Sequence, residues 1–204
     1  FNKATGPTYI IRHEGQKADA NDSVYGFVGY LAADYNIPHF QSYFIQYHGN
    51  INFGNVTDAQ HAPLRLAAEQ VPDEYYYLYL KNQNYSERTC FILAEDGHDT
   101  YEINKDLSKM LEQNHYPQLY STTGGYGLEF NHLAKTTQTV PLSVWIGNKG
   151  LFNFVLEKRA GQTATSVILN DMLLEQQTDL MQTNYTGNFT TSGVTIANRF
   201  TITF

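Results

Sequence analysis

Seven histidines invite a metal reading, but they stand at positions 13, 39, 48, 61, 98, 115 and 132. No two of them share the short spacing from which zinc sites are built, so zinc is not expected. The acidic run Glu95-Asp-Gly-His-Asp-Thr-Tyr-Glu concentrates oxygen ligands around a glycine, which makes Glu95, Asp96 and Asp99 the candidate ligands for calcium. Its spacing departs from that of an EF-hand loop, and a solvated turn whose Asp side chains bond the local backbone is the plainer reading. The single cysteine, Cys90, excludes an intrachain disulfide and sits in Arg88-Thr-Cys-Phe-Ile-Leu, where a buried small hydrophobe is expected over a reactive thiol. There is no Gly-x-Ser-x-Gly elbow and no His-Glu-x-x-His helix, so no catalytic residue is assigned. Two carboxylates converging from distant strands, as in glycosidases, leave a hydrolase as the third-ranked reading. Thr122-Thr-Gly-Gly-Tyr-Gly lacks the Lys and following helix of a phosphate loop and reads as a turn between Tyr120 and Leu128.

The chain has 16 Tyr and 12 Phe. Most should be core or cross-strand pairs, but exposed rings can stack on sugars or apolar peptides. The tyrosines in turn-rich contexts, Tyr85, Tyr116, Tyr126 and Tyr185, are the candidate ligand-binding residues.

The elements that must position these residues read as strands. Segments rich in β-branched and aromatic residues alternate with Gly, Asn, Asp and Pro at 8–12, 24–31, 41–47, 75–81, 88–94, 118–121, 127–131, 140–147, 151–158, 166–169, 188–191 and 199–204. Tyr75-Tyr-Tyr-Leu-Tyr-Leu-Lys is apolar or aromatic on both faces and must be covered on both. The best-patterned hairpin is Leu142 to Leu156, turning at Asn148, Lys149 and Gly150, and Trp145 and Phe154 are expected in its core. A short helix over Asn104 to Gln113, with Leu107, Met110 and Leu111 at helical spacing, and one more turn over Leu64 to Gln70 complete the list. The fold class is therefore all-β: an antiparallel β-sandwich of jelly-roll or Greek-key kind, either single or two packed sandwiches, with one or two short helices. Residues 1–72 form N-terminal strands or a smaller sandwich and 73–204 the main sandwich, unless the whole is one domain.

Composition narrows the partners. At 42% hydrophobic but only 16% charged residues, the polar surface must be made of Asn, Gln, Thr, Ser and Tyr. A net charge of −7 with 13 scattered Lys and Arg argues against a nucleic-acid backbone as partner. No apolar run reaches the roughly 18 residues of a spanning helix, so no transmembrane segment is expected. Phe1-Asn-Lys-Ala-Thr-Gly-Pro has no signal-peptide pattern, which places any such peptide upstream or already removed. Disulfide-free extracellular proteins are easier to place in bacteria than in a eukaryotic secretory route.

Ile37-Pro-His-Phe-Gln-Ser-Tyr-Phe-Ile-Gln, Tyr116-Pro-Gln-Leu-Tyr-Ser, Val140-Pro-Leu-Ser-Val-Trp-Ile and Asn198-Arg-Phe-Thr-Ile-Thr-Phe follow one another in an order that resembles a β-module of Bacteroidetes surface and secreted proteins, of the kind exported as type IX secretion cargo. Ile37-Pro-His-Phe-Gln-Ser-Tyr-Phe-Ile-Gln resembles that group's "I-P-x-x-Q-x-F-x-V" strand, Tyr116-Pro-Gln-Leu-Tyr-Ser its "P-Q-x-Y-S", and the acidic, tyrosine-containing stretch within Glu95 to Met110 the one before its Lys-Leu. Gly127-Leu-Glu-Phe-Asn-His-Leu is similar to "L-A-I-N-x-L" and Val140-Pro-Leu-Ser-Val-Trp-Ile to "V-P-L-G-F". The ending, Leu169-Asn-Asp-Met-Leu-Leu, Thr178-Asp-Leu, Tyr185 to Phe189 and Asn198-Arg-Phe-Thr-Ile-Thr-Phe, is similar to "L-x-D-x-x-x-x-x-x-D-L … Y-x-F … R-F-x-L-x-F". The resemblance spans about residues 37–204; the preceding "N-P-Y" element is absent, which implies a piece of something larger. It implies an extracellular or cell-surface location and no activity. Asp171 and Asp179 are expected to close turns, and Arg199 to pair with a carboxylate beside Phe200; calcium is a weaker use of the same residues. Asp22-Ser23-Val24 resembles the group's O-glycosylation acceptor, with Ser23 as the modified residue.

The expected function is a non-catalytic structural or assembly module of a bacterial cell-surface or secreted protein, without a cofactor unless calcium, whose partners are other surface or secreted proteins. The alternative is a glycan- or peptide-binding adhesin module.

Overall fold

The computed structural model describes the backbone of residues 9–14, 26–31 and 44–46 and, with side chains, residues 74–103, 105–111, 115–137, 139–157 and 162–204. Three strands, β1 (Tyr9–Glu14), β2 (Gly26–Leu31) and β3 (Phe44–Gln46), form one antiparallel sheet in the order β2-β1-β3. The helical turn expected over Leu64 to Gln70, the glycosylation candidate Ser23 and the boundary between residues 72 and 73 lie outside the described residues.

The remaining strands are β4 (Tyr75–Lys81), β5 (Ser86–Ala94), β6 (Leu107–Ser108), β7 (Gln118–Thr123), β8 (Tyr126–Ala134), β9 (Thr139–Ile146), β10 (Gly150–Leu156), β11 (Ile168–Asp171), β12 (Gln176–Asp179), β13 (Tyr185–Phe189) and β14 (Val194–Thr203). They make one continuous sheet, ordered β12-β11-β14-β9-β7-β8-β5-β4-β10-β13, with β6 paired to β8. The described residues are all-β, as the strand-rich pattern requires, but in place of the antiparallel sandwich expected over 73–204, strands β4–β14 form one large mixed sheet, nearly barrel-shaped. Its antiparallel character is broken where β5 runs parallel to β8.

The curl follows from burial. Tyr76, Leu78 and Leu80 of β4, Leu142 and Val144 of β9, Phe152 and Phe154 of β10, and Phe200 and Ile202 of β14 share one core and are each fully buried. Phe154 stacks on Phe200 at 4.9 Å, and Phe189 joins Phe152 and Phe200 at 5.7 and 6.1 Å, so rings from the β10–β13 end meet rings from the β14 side. Removing this much aromatic surface from water favours closing the sheet over itself.

The doubly apolar β4 is covered on both faces. Its even residues enter the main core, while Tyr77 packs with Cys90, Ile92, Leu107 and Phe130 in a second cluster. That second cover is the segment read as a helix from Leu107, Met110 and Leu111. No helix occurs among the described residues; the chain there is extended, with Leu107 buried, Met110 half-buried and Leu111 exposed. A three-residue apolar set at this spacing is satisfied equally by an arm crossing a sheet, and the apolar outer face of β4 and β5 selects the arm. Cys90 is buried in this cluster, as expected.

Trp145 and Phe154 also part company. Strands β9 and β10 occur where expected, but they do not pair as a hairpin: β9 lies between β7 and β14, and β10 between β4 and β13. The Asn148-Lys149-Gly150 turn, exposed at Asn148 and Lys149, therefore connects two strands that are not neighbours in the sheet. Phe154 points inward and is fully buried, whereas Trp145 is only half-buried. Val144 and Ile146 supply the inward positions of β9, so strict alternation leaves Trp145 on the outside.

Candidate functional site

One corner of the molecule is organised by Asp171. This residue ends β11, and its Oδ1 accepts the backbone N–H groups of Leu173 and Leu174 at 3.0 and 3.3 Å, closing the turn into β12. Arg199 grips the same carboxylate from β14, with Nε to Oδ1 at 2.9 Å and Nη2 to Oδ2 at 2.6 Å, while the Tyr185 hydroxyl donates to Oδ2. The Arg199 guanidinium lies 4.7 Å from the Phe200 ring centre. Burial alone would raise the Asp171 carboxyl pKa, but hydrogen bonds from Arg199, Tyr185 and the Leu174 N–H outweigh it and hold the pKa below the ordinary value. Asn198, in the left-handed backbone region with φ of 59°, lies in the β14 irregularity immediately before Arg199. The expected turn closure and Arg–carboxylate pair are both present here, and Asp179 does the same for its own turn by accepting the N–H groups of Val167 and Met181.

What this rigid corner displays is apolar. Met172, Leu173 and Leu174 are 60%, 69% and 59% exposed on a turn whose backbone is pinned on both sides. The Met172 N–H also donates to the Arg199 carbonyl at 2.7 Å. Three consecutive large hydrophobes are thus held exposed to solvent by a hydrogen-bonded frame.

The four candidate tyrosines do not share a face. Tyr185 is 2% exposed and packs between Phe154 and Phe200, so it belongs to the core, and its hydroxyl donates to Asp171. Its neighbouring Thr and Asn residues resemble a turn, but inward alternation in the short β13 decides the matter. Tyr85 and Tyr116 come together at 5.7 Å, joined by the exposed His115 and by Asn148, whose amide donates to the His115 carbonyl at 2.9 Å. Tyr126 lies beyond the far end of the six-residue β7, about 20 Å along the strand from Tyr116. It is 52% exposed and stacks on Tyr101 with ring centres 4.2 Å apart.

The Thr122–Gly127 segment is the expected turn, with Gly124 and Gly125 at φ of 57° and 87° between β7 and β8. Gly124 also borders a polar hollow lined by Asp99, Thr122, Thr123, Thr136, Thr137 and Thr139. The Tyr101 backbone nitrogen is 3.9 Å from the position a Gly124 Cβ would occupy, so the stacked pair lies beside this hollow.

The acidic run is a turn in which the carboxylates diverge. Glu95 pairs with Lys135 at 3.0 Å, Asp96 with Lys105 at 3.1 Å, and Asp99 accepts the Thr137 hydroxyl. Gly97 is required here, since a Cβ would fall 1.9 Å from the Leu133 carbonyl oxygen. His98 and His132 approach to 6.2 Å between ring centres, a meeting their separation in sequence conceals. Burial, opposed by nearby Asp96, keeps the His132 pKa below its usual value. No group of three or more His, Cys, Asp or Glu able to hold a metal occurs among the described residues.

A further constellation carried no sequence signal. Lys109 Nζ sits between Glu87 Oε1, at 2.9 Å, and Glu129 Oε2, and the three side chains are 1%, 2% and 3% exposed. Burial pushes the Glu87 carboxyl up to about 7, against the pull of Lys109 and with the help of Glu129. Burial would lower the Lys109 pKa, but the two carboxylates outweigh it and raise it. These are two converging carboxylates from different strands, but they enclose a lysine inside the sheet and present no face to a substrate.

The chain matches no known family, no curated protein and no solved structure. No helix among the described residues is long and apolar enough to cross a membrane.

Proposed function

We propose that the chain is a non-catalytic assembly module of a bacterial cell-surface or secreted protein, docking a protein partner through the Met172-Leu173-Leu174 turn. The observation that carries this reading is the rigid exposure of those three apolar residues on a frame built by Asp171, Arg199 and Tyr185. A mobile loop could fold its hydrophobes away; this one is held outward, so the exposed surface is available for burial against a partner. The Bacteroidetes resemblance supports the location. In the native host, a triple Met172→Ser, Leu173→Ser, Leu174→Ser variant should lose a complex that the unaltered chain forms, with its urea midpoint unchanged. Equal recovery of the complex by both would end the docking reading.

A glycan-binding adhesin is the second reading, favoured by the Tyr101–Tyr126 stack beside a hollow rich in threonine hydroxyls. Aromatic faces beside polar groups match the two sides of a sugar ring. Saturable binding on a glycan array, abolished by Tyr126→Ala, would promote it over assembly. Reproducible hydrolytic turnover that disappears with a carboxylate substitution would overturn both.

A further inference from the structure

We propose that Lys109 and Glu129 become joined by an amide bond that the folded chain forms by itself, with Glu87 as the proton carrier. The three side chains are almost wholly removed from water, and Lys109 Nζ contacts Glu129 Oε2 directly. Glu87 lies on β5 and Glu129 on the parallel neighbour β8, while Lys109 arrives from the arm after β6. The Lys109 backbone is itself pinned, its N–H donating to the Gly127 carbonyl at 2.8 Å.

Two features make this more than a buried ion pair. First, one ammonium faces two carboxylates, and burying both as anions is costly, which favours a proton on one of them. Glu87 is the residue that holds it, with its carboxyl raised to about 7. Second, amide formation from an ammonium and a carboxylate is opposed in water chiefly because both ions are well hydrated. Here that hydration has already been lost, and the reacting groups are fixed in contact. Such intramolecular placement is worth effective concentrations of about 10⁵ M or more.

The bonds balance as follows. A proton passes from Lys109 Nζ to the Glu129 carboxylate, leaving a neutral amine beside a neutral acid. The Nζ lone pair attacks Glu129 Cδ and a C–N bond forms. Protonated Glu87 gives its proton to the departing hydroxyl of Glu129 and takes one from the nitrogen. The Cδ–OH bond breaks and one water leaves. Glu87 ends protonated, as it began, and no oxidant or other reactant is needed. Glu129 is the carboxyl attacked because Glu87 Oε1 is also held by the Arg88 backbone N–H at 2.7 Å, which fixes it beside the reaction. The product clamps the covering arm to β8 and removes two buried charges at once. This inference is independent of the docking reading.

Mass spectrometry of the denatured full-length recombinant chain, after incubation near pH 7, tests it. The expected mass is that of the sequence less one water, with trypsin failing to cut after Lys109 and a branched peptide containing Lys109 and Glu129. Lys109→Arg should restore the full mass. Glu87→Gln, which keeps both reacting groups and the buried volume, should slow the loss at least tenfold while its circular dichroism stays that of the parent. Full sequence mass in the folded parent chain overturns the proposal. So does a water loss that maps to Asp96-Gly97, where a backbone succinimide would have the same mass.

Discussion

Two buried charge centres lie in the same curled sheet and are built on opposite principles. At the Asp171 corner one carboxylate meets one guanidinium, and the remaining lone pairs are filled by Tyr185 and backbone N–H groups. At the Lys109 centre two carboxylates share one ammonium. The matched centre holds its carboxyl in the charged form and acts as a frame. The mismatched centre forces a carboxyl toward neutrality and retains a mobile proton. The difference shows that burial of charge is not one phenomenon: the ratio of partners decides whether a site is inert structure or latent chemistry.

The largest effect should come from deleting the cation at the mismatched centre. Measured against freshly folded parent chain that still has its full sequence mass, Lys109→Met strands two carboxylates inside the sheet and should cost about 3–5 kcal/mol in urea unfolding. Arg199→Met should cost less, about 2 kcal/mol, since Asp171 keeps Tyr185 and two backbone donors. Equal losses at the two sites would dissolve the comparison.

The pH dependences should have opposite signs. The Asp171 carboxyl is held below its ordinary value of 3.8 on folding, so its contribution is present above 3.8 and lost as pH falls through the lower folded value. While Lys109 and Glu129 are still unjoined, Glu87 rises from 4.5 to about 7 on folding, so the native state binds the extra proton and stability declines as pH increases through that window. Urea midpoints measured from pH 3 to 8 should lose their acid limb in Asp171→Asn and their decline toward neutrality in Glu87→Gln. The smallest change is expected at the exposed turn: Asp96→Asn, which weakens contacts of a largely exposed carboxylate with Lys105 and His132, should shift stability by less than about 0.5 kcal/mol.

Much of the framework was legible from local pattern. Tyr75 to Lys81 is a strand with those bounds because alternating aromatic and aliphatic residues leave no other regular structure. Asp171, Asp179 and Arg199 take their expected roles because turn closure and a forked ion pair depend on residue type and a few neighbours. The extended arm at Leu107 was misread as a helix because three apolar residues cannot distinguish a helix face from a strip laid over a sheet.

By itself the sequence determined the all-β class, the places of most of the strands from Tyr75 onward, and the burial of the lone cysteine. Period-two patterning and turn chemistry act over a handful of residues and need no knowledge of the whole. Only the tertiary structure decided which strands pair. It sent β9 and β10 to opposite sides of the core, turned Tyr185 inward and Trp145 outward, and brought Glu87, Lys109 and Glu129 within contact of one another. Strand order is set by burial of the shared core, a property of all the strands together. Residues roughly twenty positions apart along the chain therefore carry no local mark that they will meet.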